Sequence, residues 1–127
     1  MSFTLGPSIL FVPADRPDRY AKALERADAV IIDLEDAVAS VDKAEARKAL
    51  IANPLDPART IVRINPAGTQ DHDSDLEALE QTDYRAVMLA KAESVSDFDA
   101  LTELEVIALC ETARGVLAAT TLAALDC

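Results

Sequence analysis

The apolar and polar positions of the chain follow two alternating periods. Short runs of β-branched and other apolar residues are each followed by a stretch in which apolar residues recur about every three or four positions. This order is typical of repeated strand–helix units whose strands lie parallel. The runs contain few polar residues, which indicates strands buried on both faces. The pattern predicts strands at residues 8–12, 29–33, 60–64, 86–89 and 106–110.

A helical stretch is expected after each predicted strand. Pro17 fits the first turn of the helix that follows the first strand, and Asn53-Pro54 ends the second helix. Ser74 and Glu77 have the spacing of a capping box, which places the start of the third helix at Ser74. The five helices are expected from Pro17, over residues 40–52, from Ser74, from Ser96 and over residues 115–125.

Two architectures accommodate such a chain, an open doubly wound sheet and a (β/α)₈ barrel. A glycine-rich phosphate-binding turn follows none of the predicted strands, and the chain has three glycines in all. The sequence therefore predicts an α/β fold, a parallel (β/α)₈ TIM-type barrel of which this chain supplies about five units. Residues 1–127 are expected to be a single partial domain, the N-terminal portion of the barrel. Five units leave sheet edges open, so the natural protein is expected to be longer or to pair with another element.

The charge and composition of the chain limit the classes of partner that it is expected to bind. Twelve basic against 23 acidic residues give a net charge of −11. Nucleic acids and anionic membrane surfaces attract cationic proteins, so neither is an expected partner. No apolar run reaches the roughly 20 residues of a membrane-spanning helix. The two cysteines form neither a disulfide framework nor a zinc set, which favours a reducing, cytoplasmic location.

Carboxylates follow the second and fifth predicted strands. In parallel α/β folds the functional site lies at the carboxyl ends of the strands, so Asp33, Glu35, Asp36 and Glu111 are expected to converge. Clustered carboxylates raise one another's pKa unless a cation neutralises them, and oxygen ligands suit Mg²⁺ or Mn²⁺. Asp33 and Asp36 have an alternative role in capping the loop and the helix that follows. For Glu111 the metal is favoured, because a carboxylate without a partner there would be unfavourable.

Arg63 lies inside an otherwise apolar predicted strand. A guanidinium matches the two oxygens of a carboxylate, so Arg63 is a candidate for binding an acidic ligand. The alternative is an internal salt bridge to Asp33 or Glu35, and the two roles are compatible.

The other candidate residues carry weaker signals. His72 is the single histidine and is expected to be solvated in the polar loop of residues 68–74. Lys91 is expected to contact an anionic ligand or to pair with Glu93. Cys110 is expected to be a small buried apolar residue. The sequence assigns no general base, so the catalytic residue is unknown.

Four segments resemble the citrate lyase β-subunit family, which belongs to a group of metal-dependent aldolases and lyases that includes malyl-CoA lyases. The resemblance runs along the whole chain, in order, and matches about the first half of a family member. The segments are S-I-L-F-V-P-A-D-R-P from Ser8, I-D-L-E-D-A-V from Ile32, V-R-I-N from Val62 and E-T-A-R-G from Glu111.

The resemblance implies a (β/α)₈ barrel, trimeric or hexameric when complete, that uses Mg²⁺ to cleave a carbon–carbon bond in a 3-hydroxy acyl-CoA thioester. Citryl-CoA would give acetyl-CoA and oxaloacetate, and a malyl-CoA-like substrate would give acetyl-CoA and glyoxylate. Arg63 corresponds to the arginine that binds the substrate carboxylate. Glu111 corresponds to the first protein ligand of Mg²⁺ and, with Arg63, to the residues that bind the substrate. Glu35 and Asp36 correspond to an acidic pair near the metal, linked to it through water.

The chain also departs from the family pattern. Ala14 stands where many members have Gly, and Ala90 where many have Pro. The second metal ligand, an Asp after a sixth strand, has no counterpart, so the five units alone are expected to be inactive. Two other functions stay open, a metal-dependent 2-oxo acid aldolase that needs no CoA and a non-catalytic subunit that binds a small acid or a metal.

Overall fold

A computed structural model describes residues 6–125. Its five strands form one parallel sheet in which each strand pairs with the next along the chain. The predicted strands are confirmed, with shifts of one or two residues at the ends of the first and the last. The strands are β1 (Ile9–Pro13), β2 (Ala29–Asp33), β3 (Thr60–Ile64), β4 (Ala86–Leu89) and β5 (Glu105–Ala108).

Four α-helices connect or follow these strands: α1 (Tyr20–Arg26), α2 (Lys43–Ala52), α3 (Gln70–Leu79) and α4 (Ala113–Ala123). The helix predicted from Ser96 is wrong, since the segment between β4 and β5 contains only a 3₁₀ turn, Val95–Phe98. Phe98 and Leu101 still pack against the core from this turn. Their three-residue spacing suits a tight turn as well as a helix, which explains the wrong prediction.

The third helix begins earlier than its sequence pattern suggests. Thr69 is its N-cap, and the Thr69 hydroxyl accepts a hydrogen bond from the backbone N–H of His72 at 3.1 Å. Gly68, with φ +82°, turns the chain just before this cap. The capping box predicted at Ser74 is therefore wrong, because Ser74 lies inside α3.

All four helices pack on the same face of the sheet. Alternate residues of the strands and the inward residues of the helices form the main core, in which each large apolar side chain contributes about 1.5–3 kcal/mol. The fully buried members with the largest side chains are Tyr20, Ile32, Leu34, Leu50, Ile64 and Leu89.

The other face of the sheet is covered only by its own side chains in the part of the chain that is described. Ile31, Ile61 and Ala86 form a second, smaller cluster there. Phe11 and Ile107, on the outer strands, remain 53% and 39% exposed. A sheet with sequential strand order and helices on one face is a barrel wall rather than a doubly wound sheet, as the sequence predicted. Within residues 6–125, no helix has the length and apolar character needed to cross a membrane.

Candidate active site

The loop that follows β2 is shaped by Asp33, the last residue of that strand. The Asp33 carboxylate is buried and accepts hydrogen bonds from the backbone N–H groups of Glu35 at 2.8 Å and Ala37 at 3.1 Å. These bonds hold the turn that carries Glu35 and Asp36. The capping role that the sequence left open for Asp33 is confirmed.

Arg63 lies beside Asp33 because the register of β2 and β3 pairs the two residues. Its Nε donates to Asp33 Oδ1 at 2.8 Å, and its Nη2 donates to Asp33 Oδ2 at 2.5 Å. The guanidinium also stacks over the Phe11 ring, 5.0 Å from the ring centroid. The internal salt bridge is therefore confirmed, and it leaves Nη1, 3.6 Å from Glu35 Oε1, as the least engaged nitrogen.

Glu35 is buried at the centre of the site, with 4% of its surface exposed. Its Oε2 accepts a hydrogen bond from Lys91 Nζ, whereas its Oε1 is buried without a hydrogen-bond partner. Burial raises the pKa of the Glu35 carboxyl, and the Lys91 ammonium opposes that rise. Lys91 therefore pairs with Glu35 and not with Glu93, the partner suggested by the sequence.

Asp36 and Glu111 reach the same lysine from two directions. Asp36 Oδ1 lies 3.6 Å from Lys91 Nζ, and its side chain is 69% exposed. Its pKa is lowered mainly by its coupling to the Glu35 carboxyl, whose own pKa is raised, and further by the Lys91 ammonium. Glu111 is exposed, and its Oε1 accepts from the backbone N–H of Lys91 at 3.1 Å. The backbone of Lys91, which contacts Glu111, is left-handed, with φ 51°.

These contacts connect all four predicted carboxylates with two cations. We call this group the mouth cluster, because it lies at the carboxyl ends of the strands. Its carboxylates outnumber its cations by four to two, a formal excess of two negative charges. No three His, Cys, Asp or Glu residues between positions 6 and 125 are arranged to hold a metal ion by themselves. The members of the mouth cluster are Asp33, Glu35, Asp36, Arg63, Lys91 and Glu111.

Sequence reasoning missed a buried polar network behind the cluster. Asp75 is fully buried in α3 and accepts from the backbone N–H of Asn65 at 2.8 Å and from its Nδ2 at 2.7 Å. Arg47 Nε donates to the other Asp75 oxygen at 2.8 Å. Desolvation raises the pKa of Asp75 against the effect of these partners. A signal was available in the sequence, because Asp75 stands four residues before Leu79, an inward residue of the same predicted helix.

The burial of His72 contradicts the sequence-based expectation, whereas the burial of Cys110 agrees with it in part. His72 is not solvated: it lies inside α3 with 4% exposure, and its Nδ1 lies 2.8 Å from the carbonyl oxygen of Asn65. The expectation was wrong because α3 begins before His72. Cys110 is half-buried and packs against the main core.

Gly115, in the E-T-A-R-G segment, allows a close approach of two loops. A Cβ at this position would lie 2.4 Å from the carbonyl oxygen of Ala92. Thr112 caps α4 beside it by accepting from the backbone N–H of Gly115 at 3.0 Å. The glycine therefore keeps the loop after β5, which carries Glu111, against the loop after β4, which carries Lys91.

A wall of parallel strands backed by helices, with a charged cluster at the carboxyl ends of the strands, is the arrangement of TIM-type (β/α)₈ enzymes. The chain belongs to the HpcH/HpaI aldolase/citrate lyase family, whose sequence profile matches residues 7–126. Both the predicted family and the predicted barrel type are confirmed. The chain supplies five consecutive strands of that barrel wall.

Individual relatives agree with this assignment. A citrate lyase subunit beta-like protein of Mycobacterium tuberculosis is 57% identical over 121 residues, 95% of this chain and 44% of that protein. A (3S)-malyl-CoA thioesterase of Cereibacter sphaeroides is 35% identical over 92% of this chain and 44% of its own length. The structure of the M. tuberculosis citrate lyase beta subunit with oxaloacetate and magnesium matches with a TM-score of 0.94 and 56% identity, over 97% of this chain and 55% of that one. The chain thus spans about half the length of the relatives it matches.

Proposed function

We propose that this chain provides the oxo-acid and metal half of a Mg²⁺-dependent carbon–carbon lyase that acts on a 3-hydroxy acyl-CoA thioester. The observation that carries the proposal is the formal charge of the mouth cluster, where four carboxylates lie with two cations. A divalent cation would balance the formal excess of two negative charges. One relative binds magnesium and oxaloacetate, and another is named for a malyl-CoA thioester, which supports the same ligand classes.

The residues of the cluster fit Mg²⁺. This ion is usually bound by one or two carboxylates, with water and substrate completing its shell. Glu111 is exposed, and its Oε2 makes no hydrogen bond with the residues between positions 6 and 125, so this oxygen is free to coordinate. Glu35 and Asp36 would act through bound water. When bound, the ion supplies a Lewis acid for the oxygen atoms of the oxo-acid half.

Arg63 would bind the substrate carboxylate through Nη1. Asp33 holds the Nε–Nη2 edge, which leaves the Nη1–Nη2 edge of the guanidinium for the substrate. Asp33 and Phe11 fix the plane of the guanidinium, which means that Nη1 points in one direction before a ligand arrives. This fixed donor orients the oxo-acid half of the substrate.

The proposed reaction cleaves the bond between the hydroxyl-bearing carbon and the carbon next to the thioester. The hydroxyl loses its proton and becomes the carbonyl of the oxo acid. The electron pair of the broken bond forms the enolate of the departing thioester, which takes up a proton to give acetyl-CoA. Arg63 neutralises the carboxylate of the oxo acid, and the general base stays unassigned.

The active protein is proposed to be longer than residues 1–127. Residues 1–127 would be the N-terminal portion of a (β/α)₈ domain, and the complete protein would form a trimer or hexamer. The thioester would then be bound with the help of later barrel units. The chain alone is expected to bind Mg²⁺ without cleaving substrate.

Thioester hydrolysis is a second candidate, because a relative with 35% identity over 92% of this chain is named a thioesterase. The products separate the two reactions, since hydrolysis of malyl-CoA gives malate and CoA, whereas lysis gives glyoxylate and acetyl-CoA. The aldolase without CoA and the non-catalytic binding subunit are separated by the same assay. Cleavage of a free hydroxy-oxo acid would favour the aldolase, and binding without turnover would favour the subunit.

The deciding experiment joins this chain to the C-terminal part of the M. tuberculosis relative, so that a complete barrel is formed. The fusion is incubated with citryl-CoA or malyl-CoA, with and without Mg²⁺, and the products are identified by mass spectrometry. Mg²⁺-dependent release of acetyl-CoA, abolished by Glu111→Gln, is the expected result. Metal-independent release, or no cleavage of either thioester by a folded fusion, would refute the proposal.

A further inference from the structure

A buried ammonium group touches the backbone of the loop after β2. Lys43, the first residue of α2, has 8% exposure, and its Nζ donates to the carbonyl oxygens of Leu34 at 2.8 Å and Glu35 at 2.7 Å. The ion pairs formed among residues 6–125 do not include Lys43. A charge is unfavourable in the interior unless it is hydrogen-bonded. The two peptide oxygens are therefore what holds Lys43 in place, and Lys43 in turn holds them.

The Leu34 peptide is fixed from other directions as well. Asn65 Nδ2 donates to the Leu34 carbonyl oxygen at 2.9 Å, and the Leu34 N–H donates to the Arg63 carbonyl oxygen at 3.0 Å. Asn65 is itself held by the buried Asp75. With Lys43 and Asn65 as donors, both lone pairs of the Leu34 oxygen are used.

The backbone N–H and carbonyl groups of Glu35 are also hydrogen-bonded. Its N–H donates to Asp33 Oδ1 at 2.8 Å, and its carbonyl oxygen accepts from Lys43 and from the backbone N–H of Val38 at 3.2 Å. The backbone from which the Glu35 side chain extends is thus hydrogen-bonded on both sides. The position of that side chain beside Lys91 depends on these bonds.

We propose that Lys43, assisted by Asn65, is a positioning residue that sets the Glu35–Asp36 pair against Lys91 in the mouth cluster. The ammonium group does not reach the ligand site, and it acts through the two carbonyl groups of the loop. Removal of Nζ takes one hydrogen bond from each of the two carbonyl groups, which loosens the loop and lets the acidic pair move away from Lys91 in the folded chain. The inference rests on the proposed function in taking this pair as part of the ligand site.

A zero-length cross-link tests the position without any metal or substrate. A water-soluble carbodiimide activates a carboxyl group and joins it to a touching amine as an amide, and the reagent takes up the water that is lost. In the unaltered chain, Lys91 should be joined to Glu35 or Asp36, which its Nζ contacts. The exposed pair Glu45 and Lys48, 2.9 Å apart on the outside of α2, gives a reference cross-link in the same sample.

The measured quantity is the ratio of the Lys91 cross-link to the Glu45–Lys48 cross-link, read by peptide mass spectrometry. We expect Lys43→Met to lower this ratio roughly tenfold, because two charge-assisted hydrogen bonds that fix the loop are lost. Lys22→Met, which removes an exposed lysine of α1, should leave the ratio unchanged. An unchanged ratio in folded Lys43→Met, even with a lower melting temperature, would show a merely structural role and overturn the inference.

If Lys43→Met does not fold, Asn65→Ala decides the question. This variant removes one donor to the Leu34 oxygen and keeps Lys43, so the ratio should fall by a smaller factor, and a constant ratio in the folded variant would overturn the inference. Calorimetric titration of the unaltered chain with MgCl₂ is run in parallel. Absence of Mg²⁺ binding there would count against the proposed function, whereas the cross-link ratio judges the positioning role by itself.

Discussion

Asp33 occupies the Nε–Nη2 edge of Arg63, with both oxygens in hydrogen-bond contact, at 2.8 and 2.5 Å. The two residues lie opposite each other in adjacent strands, so the pair is set by the register of the sheet. Arg63 is therefore a structural ion pair and a candidate ligand-binding residue at once. The two roles use different edges of the same guanidinium.

Replacement of Arg63 by lysine should affect both roles. Lysine keeps the charge but cannot make two parallel bonds to Asp33, which leaves a buried carboxylate partly unpaired. We expect the free energy of unfolding to fall by about 1.5–3 kcal/mol. The kcat/KM of the fusion should fall roughly 10- to 150-fold, at about 1.4 kcal/mol per decade. Thermal melts and steady-state kinetics measure the two effects, and an unchanged melt would contradict the structural role.

Glu111→Ala should remove Mg²⁺ binding without disturbing the fold. Glu111 is exposed, and among residues 6–125 it accepts one hydrogen bond, from the backbone N–H of Lys91. Calorimetry with MgCl₂ checks the prediction, with Glu77→Ala, an exposed carboxylate of α3, as the matched control. Equal Mg²⁺ affinities in Glu111→Ala and in the unaltered chain would refute the role of Glu111 as a ligand.

Gly115→Ala should destabilise the chain. The added methyl group would lie 2.4 Å from the backbone oxygen of Ala92, so one of the two loops must move. Overpacking of this kind costs about 1–3 kcal/mol. Urea unfolding measures the effect, and Thr120→Ala on the exposed side of the same helix is the control. A Gly115→Ala variant as stable as that control would show that the loops are not in close contact.

Stability should depend on pH through Asp75. Burial raises the pKa of this carboxyl in the folded chain above the ordinary value of 3.8. Its stabilising contribution is complete below that value and is lost as the pH rises through the raised pKa. The stability deficit of Asp75→Asn, which also weakens the contact with Arg47, should thus be largest at acidic pH and shrink as the pH rises.

Urea unfolding between pH 3 and pH 7 measures this trend, within the range where ordinary carboxyl groups titrate, about pH 4. Asp73→Asn, an exposed substitution on the same helix, should change the free energy of unfolding little. A deficit of Asp75→Asn that grows with rising pH would mean that the pKa of Asp75 is lowered in the folded chain.

The sequence predicted the strands and the charged residues at their ends well, because both depend on local pattern. The apolar runs fix the strands, and parallel pairing brings their carboxyl ends together. The position of α3 was harder, since Thr69 and Ser74 are both acceptable caps and the turn at Gly68 decides between them. The local sequence pattern alone cannot decide which of two N-cap residues five positions apart begins the helix.

Long-range pairings could not be predicted from the sequence. Lys91 pairs with Glu35, which is 56 residues away, and not with the nearby Glu93. The reason is that the loops after β2 and β4 lie at the same edge of the parallel sheet. The hydrogen bonds of Lys43 depend in the same way on how α2 is placed against that loop. Which polar groups share the interior is a property of the packed chain.

The strand order of the sheet also has a kinetic consequence. Each strand pairs with the one made just before it, so every strand pairing closes a loop of limited length. Parallel pairing is still slow compared with a hairpin, because the connection between two strands must fold back across the sheet before the strands can meet. During synthesis on the ribosome, β2 can pair with β1 while β3 is still being translated, and the sheet can extend by one strand at a time from the N-terminal side. In this order of assembly, Asp33 and Arg63 can pair before β5 and the Glu111 that follows it join the sheet.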